Sequence, residues 1–181
     1  MRLFIAIDLS DEARAHLAKV ARTLRVRKGA SWVRPENLHL TVKFIGEWPD
    51  ERLADLCGKL DELAMERAMG LRCEGVMMLP ERGPARVIAA EVGGEIERLM
   101  TLAARVELAC AGVGVGSEER RLRPHVTLAR VRPPLDGEAR QVVLRASEGL
   151  WPGPRFEAGG LTLYESRLGR GGAEYVPVHR F

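Results

Sequence analysis

The pattern His-x-Thr-apolar occurs twice, as "HLTV" at 39–42 and "HVTL" at 125–128, 86 positions apart. Two other segments repeat at nearly the same distance. "FIAIDL" (4–9) lies over "VIAAEV" (87–92) at an offset of 83, and "CEGVMML" (73–79) over "AGGLTLY" (158–164) at an offset of 85. Offsets this close leave room for only a few inserted residues in loops. The chain therefore reads as one domain built from two copies of a β-α-β-α-β unit, approximately 1–80 and 86–181. A pseudo-twofold axis between the copies would put the two His-x-Thr strands in equivalent places.

The periodicities agree with this reading. Strands are expected at 2–9, 39–46, 71–80, 86–93, 125–131, 155–168 and 173–181, the third bent at Gly75. Helices are expected at 10–24, 50–64, 94–111 and 137–147. Ser10 is placed to cap the first of them, with Asp11 and Glu12 in its first turn. Gly29 and Pro35 break the segment between the first helix and the second strand into a loop. The fold class expected is α+β, with two pseudo-symmetric lobes and a cleft between them.

Composition narrows the setting. Apolar runs fall short of the roughly 18 residues that cross a bilayer, and the acidic flank of "MRLFIAIDLSDE" is wrong for a secretory signal. Cys57, Cys73 and Cys110 are odd in number and form no CxxC pair, which argues for reduced thiols and a cytoplasmic protein. The net charge of +3 is mild, but 24 of the 28 basic residues are arginine, whose planar fork suits phosphate. Five of them, Arg120, Arg121, Arg123, Arg130 and Arg132, crowd around the second motif.

Residues i and i+2 share a face of a strand. His39, Thr41 and Lys43 should therefore point one way and Leu40, Val42 and Phe44 the other, with Phe44 in the core. His125 and Thr127 share a face in the same manner. Two imidazoles across a cleft form an acid/base pair near neutral pH, suited to displacement at phosphorus. One takes a proton from the attacking water and the other gives one to the departing oxygen, while the threonine hydroxyls hold phosphate oxygens. His16 and His179 lie outside any such pattern and are read as incidental. Each strand supplies one histidine, with no HExxH, so no metal is expected. No GxxxxGK[ST] loop and no recognisable nucleophile motif is present.

The paired motifs, with "RLFIAIDL", "WVRPENLHLTVKFIGE", "RPHVTLARV" and "LTLYESRLGRGGAEYVPVHRF", resemble the two-histidine phosphoesterases, in the branch of RNA 2′,3′-cyclic phosphodiesterases, also called 2′-5′ RNA ligases. The resemblance implies antiparallel sheets in two lobes, one lobe gathering both chain ends. It implies hydrolysis of a terminal 2′,3′-cyclic phosphate to a 2′-phosphomonoester, with no cofactor. Carried over by motif, His39 is similar to the general acid and His125 to the general base. Thr41 and Thr127 would bind phosphate, and Arg130 would assist if a bend or bulge after Thr127 reverses its parity. Tyr164 and Ser166 belong to the family-like ending without assigned chemistry. Where relatives often carry an aromatic residue, this chain has Ala89 and Ala90. The expected partner is an RNA end, met by a monomer away from membranes. The alternatives are ATP-independent 2′-5′ ligation at the same site, or a non-catalytic RNA-binding module. The latter predicts aromatic residues on the sheet face, where this sequence has His and Thr.

Overall fold

Leu3, Ile5 and Ile7 alternate along the first strand and are almost fully buried, which gives the sheet its apolar face. The computed structural model describes residues 1–24, 29–63, 67–118, 121–169 and 172–181. In chain order the strands are β1 (Arg2–Asp8), β2 (Ala30–Trp32), β3 (His39–Glu47), β4 (Met69–Leu79), β5 (Ala85–Gly94), β6 (His125–Leu135), β7 (Arg155–Ala158), β8 (Thr162–Gly169) and β9 (Gly172–Arg180). The helices are α1 (Asp11–Thr23), α2 (Leu53–Asp61), α3 (Ile96–Gly112) and α4 (Gly137–Ala146). Ser10 caps α1, its Oγ accepting from the Ala13 N–H at 3.2 Å, and Asp136 caps α4 in the same way at 2.8 Å.

The strands pair antiparallel in the order β7-β4-β5-β6-β3-β1-β8-β9, with β2 added against β6. Two lobes result, β6-β5-β4-β7 and β3-β1-β8-β9. They meet where β3 runs beside β6, with Leu40 opposite Val126. The order β3-β1-β8 in one lobe mirrors β6-β5-β4 in the other. The lobes are not the two sequence halves: β4 joins the strands after it in the chain, and β8 and β9 return to β1. Both chain ends thus lie in one lobe, as the resemblance implied.

Three expectations need correction. The segment 155–168 is not one strand: it breaks at Gly159–Gly160, and its parts pair with β4 in one lobe and β1 in the other. The segment expected as a loop after α1 contains β2, whose Trp32 faces Ala129. The second helix begins as a 3-10 turn at Asp50–Arg52 and becomes α-helical only from Leu53.

One continuous core lies between the sheet and the helices. Ala13, Leu17 and Val20 of α1 and Leu99, Leu102 and Val106 of α3 pack in it with Leu40, Val42, Ile88, Val126 and Leu128. Cys73 and Cys110 are buried free thiols, and desolvation pushes them up to about 12 and about 11. The face of the sheet turned away from the helices is left for chemistry.

Candidate active site

Simple alternation fails on both motif strands at the same place. In β3, Thr41 lies opposite Ala6 and Lys43 opposite Ile5, so Val42 is an extra residue in the ladder. In β6, Thr127 lies opposite Ala89 and Ala129 opposite Ile88, so Leu128 is extra. Each bulge reverses the parity of the residues beyond it. Lys43, expected beside His39 and Thr41, turns inward and is 2% exposed. Phe44, expected in the core, turns out and is 57% exposed. Ala129 is buried, and Arg130 comes onto the face of Thr127. The bulge that Arg130 required is present.

A cavity of about 460 Å³ opens on this face, lined by His39, Thr41, Phe44, Thr127 and Arg130 among others. Its size lies in the range of small-ligand sites. His125 precedes Thr127 on the same face of β6, the strand beside β3, but is not among the described residues that line the cavity. Ala89 and Ala90 are fully buried beside β6, so neither is open to a nucleobase. His16 packs edge-on against Trp151, and His179 bonds Asp61 at 2.6 Å. Arg123 pairs with Glu81, Arg121 and Arg132 are exposed, and Arg120 lies outside the described residues.

The two histidines are held alike. The Nδ1–H of His39 donates to the Asn37 carbonyl at 2.7 Å, and that of His125 to the Arg123 carbonyl at 2.7 Å. A carbonyl can only accept, so in each neutral ring the proton sits on Nδ1 and Nε2 is left as the basic atom. The Nε2 of His39 lies 3.0 Å from the Thr41 hydroxyl.

Around His39 the support is dense. Phe4 lies under the ring at 4.8 Å between centroids, and Tyr175 meets it edge-on at 5.2 Å. The Arg14 guanidinium bonds the carbonyls of Leu9, Pro35, Glu36 and Leu38, fixing the turn that leads into the motif. The Asn37 side-chain amide donates to the Ala173 carbonyl at 2.8 Å. Asp8 stands opposite His39 in the β1–β3 ladder and accepts from Thr162 at 2.8 Å and Tyr164 at 2.5 Å. Burial and this bond push the Tyr164 phenol up to about 12.

Burial lowers the pKa of His39 below the usual imidazole value. The Asn37 carbonyl and the Asp8 charge raise it, while His125 and Arg14 lower it further. Asp8, Arg14 and Tyr175 were missed from the sequence as parts of this site. The available signal was the offset of 83, which aligns Asp8 with Glu91: Glu91 stands opposite His125 as Asp8 stands opposite His39.

Known proteins share this architecture. The family model described as LigT-like phosphoesterase matches residues 7–89 and 92–175. The chain belongs to the LigT-like phosphoesterase family. It is 36% identical over 139 residues to an RNA 2′,3′-cyclic phosphodiesterase of Thermus thermophilus, covering 74% of this chain and 70% of that one. To the protein of the same name from Archaeoglobus fulgidus it is 33% identical, covering 73% of each. Among solved structures, TT0787 of Thermus thermophilus matches with a TM-score of 0.81 and 27% identity, over 100% of this chain and 97% of that one. Escherichia coli LigT complexed with 3′-AMP shares the fold, at a TM-score of 0.80 and 24% identity over 99% and 96% of the chains.

Proposed function

We propose that this LigT-like phosphoesterase hydrolyses the terminal 2′,3′-cyclic phosphate of RNA to a 2′-phosphomonoester, by metal-independent acid/base catalysis between His39 and His125. The observation that carries the reading is the matched tautomer of the two rings, each with Nδ1–H spent on a carbonyl and Nε2 left for proton transfer. Water attacks phosphorus as His125 Nε2 takes its proton. The bond from phosphorus to the 3′ oxygen breaks, and His39 Nε2 gives that oxygen its proton. Thr41, Thr127 and Arg130 bind the non-bridging oxygens, the arginine by charge-assisted hydrogen bonds.

Burial favours neutral His39, so its acid form must be drawn out by the substrate. The phosphodiester anion does this by placing a negative charge beside the ring. Phe44 offers an exposed aromatic face on which a nucleobase can stack. The family match over both halves of the chain and the mirrored strand orders support an internal duplication within one bilobal domain. The free thiols suit a reducing compartment such as the cytoplasm.

The test uses an oligoribonucleotide ending in a 2′,3′-cyclic phosphate, with chelator present. Wild type should yield the 2′-phosphate. His39→Ala and His125→Ala should each lose about 100- to 10,000-fold in rate. Full activity in either variant, or a 3′-phosphate product, would overturn the mechanism. Transfer of the phosphate to a 5′-hydroxyl instead of water would make the ligase reading the better one.

A further inference from the structure

The cavity is longer than the reacting phosphate requires. From His39, Thr41 and Thr127 it runs past Phe44 to Arg2 and Ser166, neither of which the hydrolytic step uses. Alternation along β1 buries Leu3, Ile5 and Ile7 under the helices and puts Arg2, Phe4 and Asp8 on the cleft face. In β8, Thr162 faces Ala6 and Tyr164 faces Phe4, so Ser166, one step beyond the Leu3–Glu165 pair, is the next cleft-facing residue and lines the same cavity as Arg2. Among the described residues, neither the Arg2 guanidinium nor the Ser166 hydroxyl has a hydrogen-bond or ion-pair partner. Glu47, opposite Arg2 in the ladder, does not form one with it.

A guanidinium and a hydroxyl, side by side and uncommitted in a cleft, form an anion site. Thr41 faces Ala6, and Arg2 lies four residues further along β1, roughly 13 Å at the rise of a strand. The long arginine side chain spans part of that distance, and one ribose fits the remainder. Resting on the phosphodiesterase reading, we infer that Arg2 and Ser166 form a second phosphate subsite, which takes the phosphodiester on the 5′ side of the terminal nucleotide. The protein then distinguishes the end of an RNA chain from a free mononucleotide cyclic phosphate.

The first arm measures binding alone, by calorimetry at low salt, with adenosine 2′-monophosphate and adenosine 2′,5′-bisphosphate as probes. Wild type should bind the bisphosphate about 10- to 100-fold more tightly, the range of a hydrogen bond to a charged group. Arg2→Met should abolish most of that ratio, and Ser166→Ala part of it. The second arm compares kcat/KM for a 5′-hydroxyl mononucleotide cyclic phosphate and a dinucleotide ending in the same group. The dinucleotide's advantage should shrink in Arg2→Met by a similar factor. Equal affinity of wild type for the two probes, or a preference that survives in Arg2→Met, overturns the subsite. So does an equal fall of both substrates in the second arm. If no cyclic phosphate is turned over but the bisphosphate preference depends on Arg2, the subsite stands and the phosphodiesterase reading falls.

Discussion

Lys43 is the most deeply buried charge in the described chain, and its removal has a cost that depends on which partner is taken away. Its side chain is 2% exposed, and its ammonium lies 2.8 Å from one oxygen of Glu107 on α3 and 3.0 Å from the other. It also donates to the Gly116 carbonyl at 2.9 Å. Glu107 is 31% exposed and accepts a further bond from the Glu118 N–H at 3.0 Å. Lys43→Met keeps the volume, so no cavity opens, and the stranded carboxylate still has water and the Glu118 amide. The loss is that of hydrogen bonds, about 1–3 kcal/mol. Glu107→Leu strands the ammonium instead, out of reach of water with one carbonyl for company, and should cost about 3–5 kcal/mol. The more exposed partner is thus the more damaging to remove. Combining the two substitutions leaves no charge unpaired, so the double variant should be more stable than Glu107→Leu alone. Urea unfolding with unchanged m-values measures all three. A smaller loss for Glu107→Leu than for Lys43→Met, or losses that simply add in the double variant, would refute the reasoning.

The site and the backbone each supply a further expected outcome. Asp8→Asn removes a charge that raises the pKa of His39, so the pKa falls further below the ordinary value. An acid must be protonated to act, so the alkaline limb of the kcat/KM profile against pH should move to lower pH; a limb that stays in place would separate Asp8 from His39. Gly29→Ala forces a side chain at φ +80°, where its Cβ would sit 1.9 Å from the Arg132 carbonyl oxygen. Left-handed strain alone costs about 1–2 kcal/mol, so with the clash the melting temperature should drop by at least about 4 °C.

The elements with strong local signals were legible. The Ser10 cap, the unbroken apolar run of β1 and the helical spacing of α3 mark their positions directly. What was hidden depended on partners. β2 is three residues long and is a strand only because β6 lies beside it. Gly159 and Gly160 look like a flexible interruption within a strand, but they let the chain cross from one lobe to the other. Asp8 reads as a strand terminus in sequence, because its place beside His39 is set by the β1–β3 register and by hydroxyls 154 and 156 residues away.

The bulges decide how much the motif itself could tell. His-x-Thr places two polar groups on one face regardless of the residues beyond it, so those four residues were readable from alternation alone. The two positions that complete the cleft lie beyond Val42 and Leu128, and there alternation gives the wrong face. Phe44 and Arg130 are 86 residues apart, like the histidines, and each is carried into the cleft by a bulge after its own threonine. The frame is therefore symmetric while its walls are not: one equivalent position supplies an aromatic face and the other a cation. A ligand with a planar base on one side and an anion on the other meets that asymmetry in one orientation. The same frame with two phenylalanines or two arginines would leave the orientation undecided. On the proposed phosphodiesterase mechanism, fixing it would also fix which histidine meets the departing oxygen, so two like imidazoles would carry unlike roles.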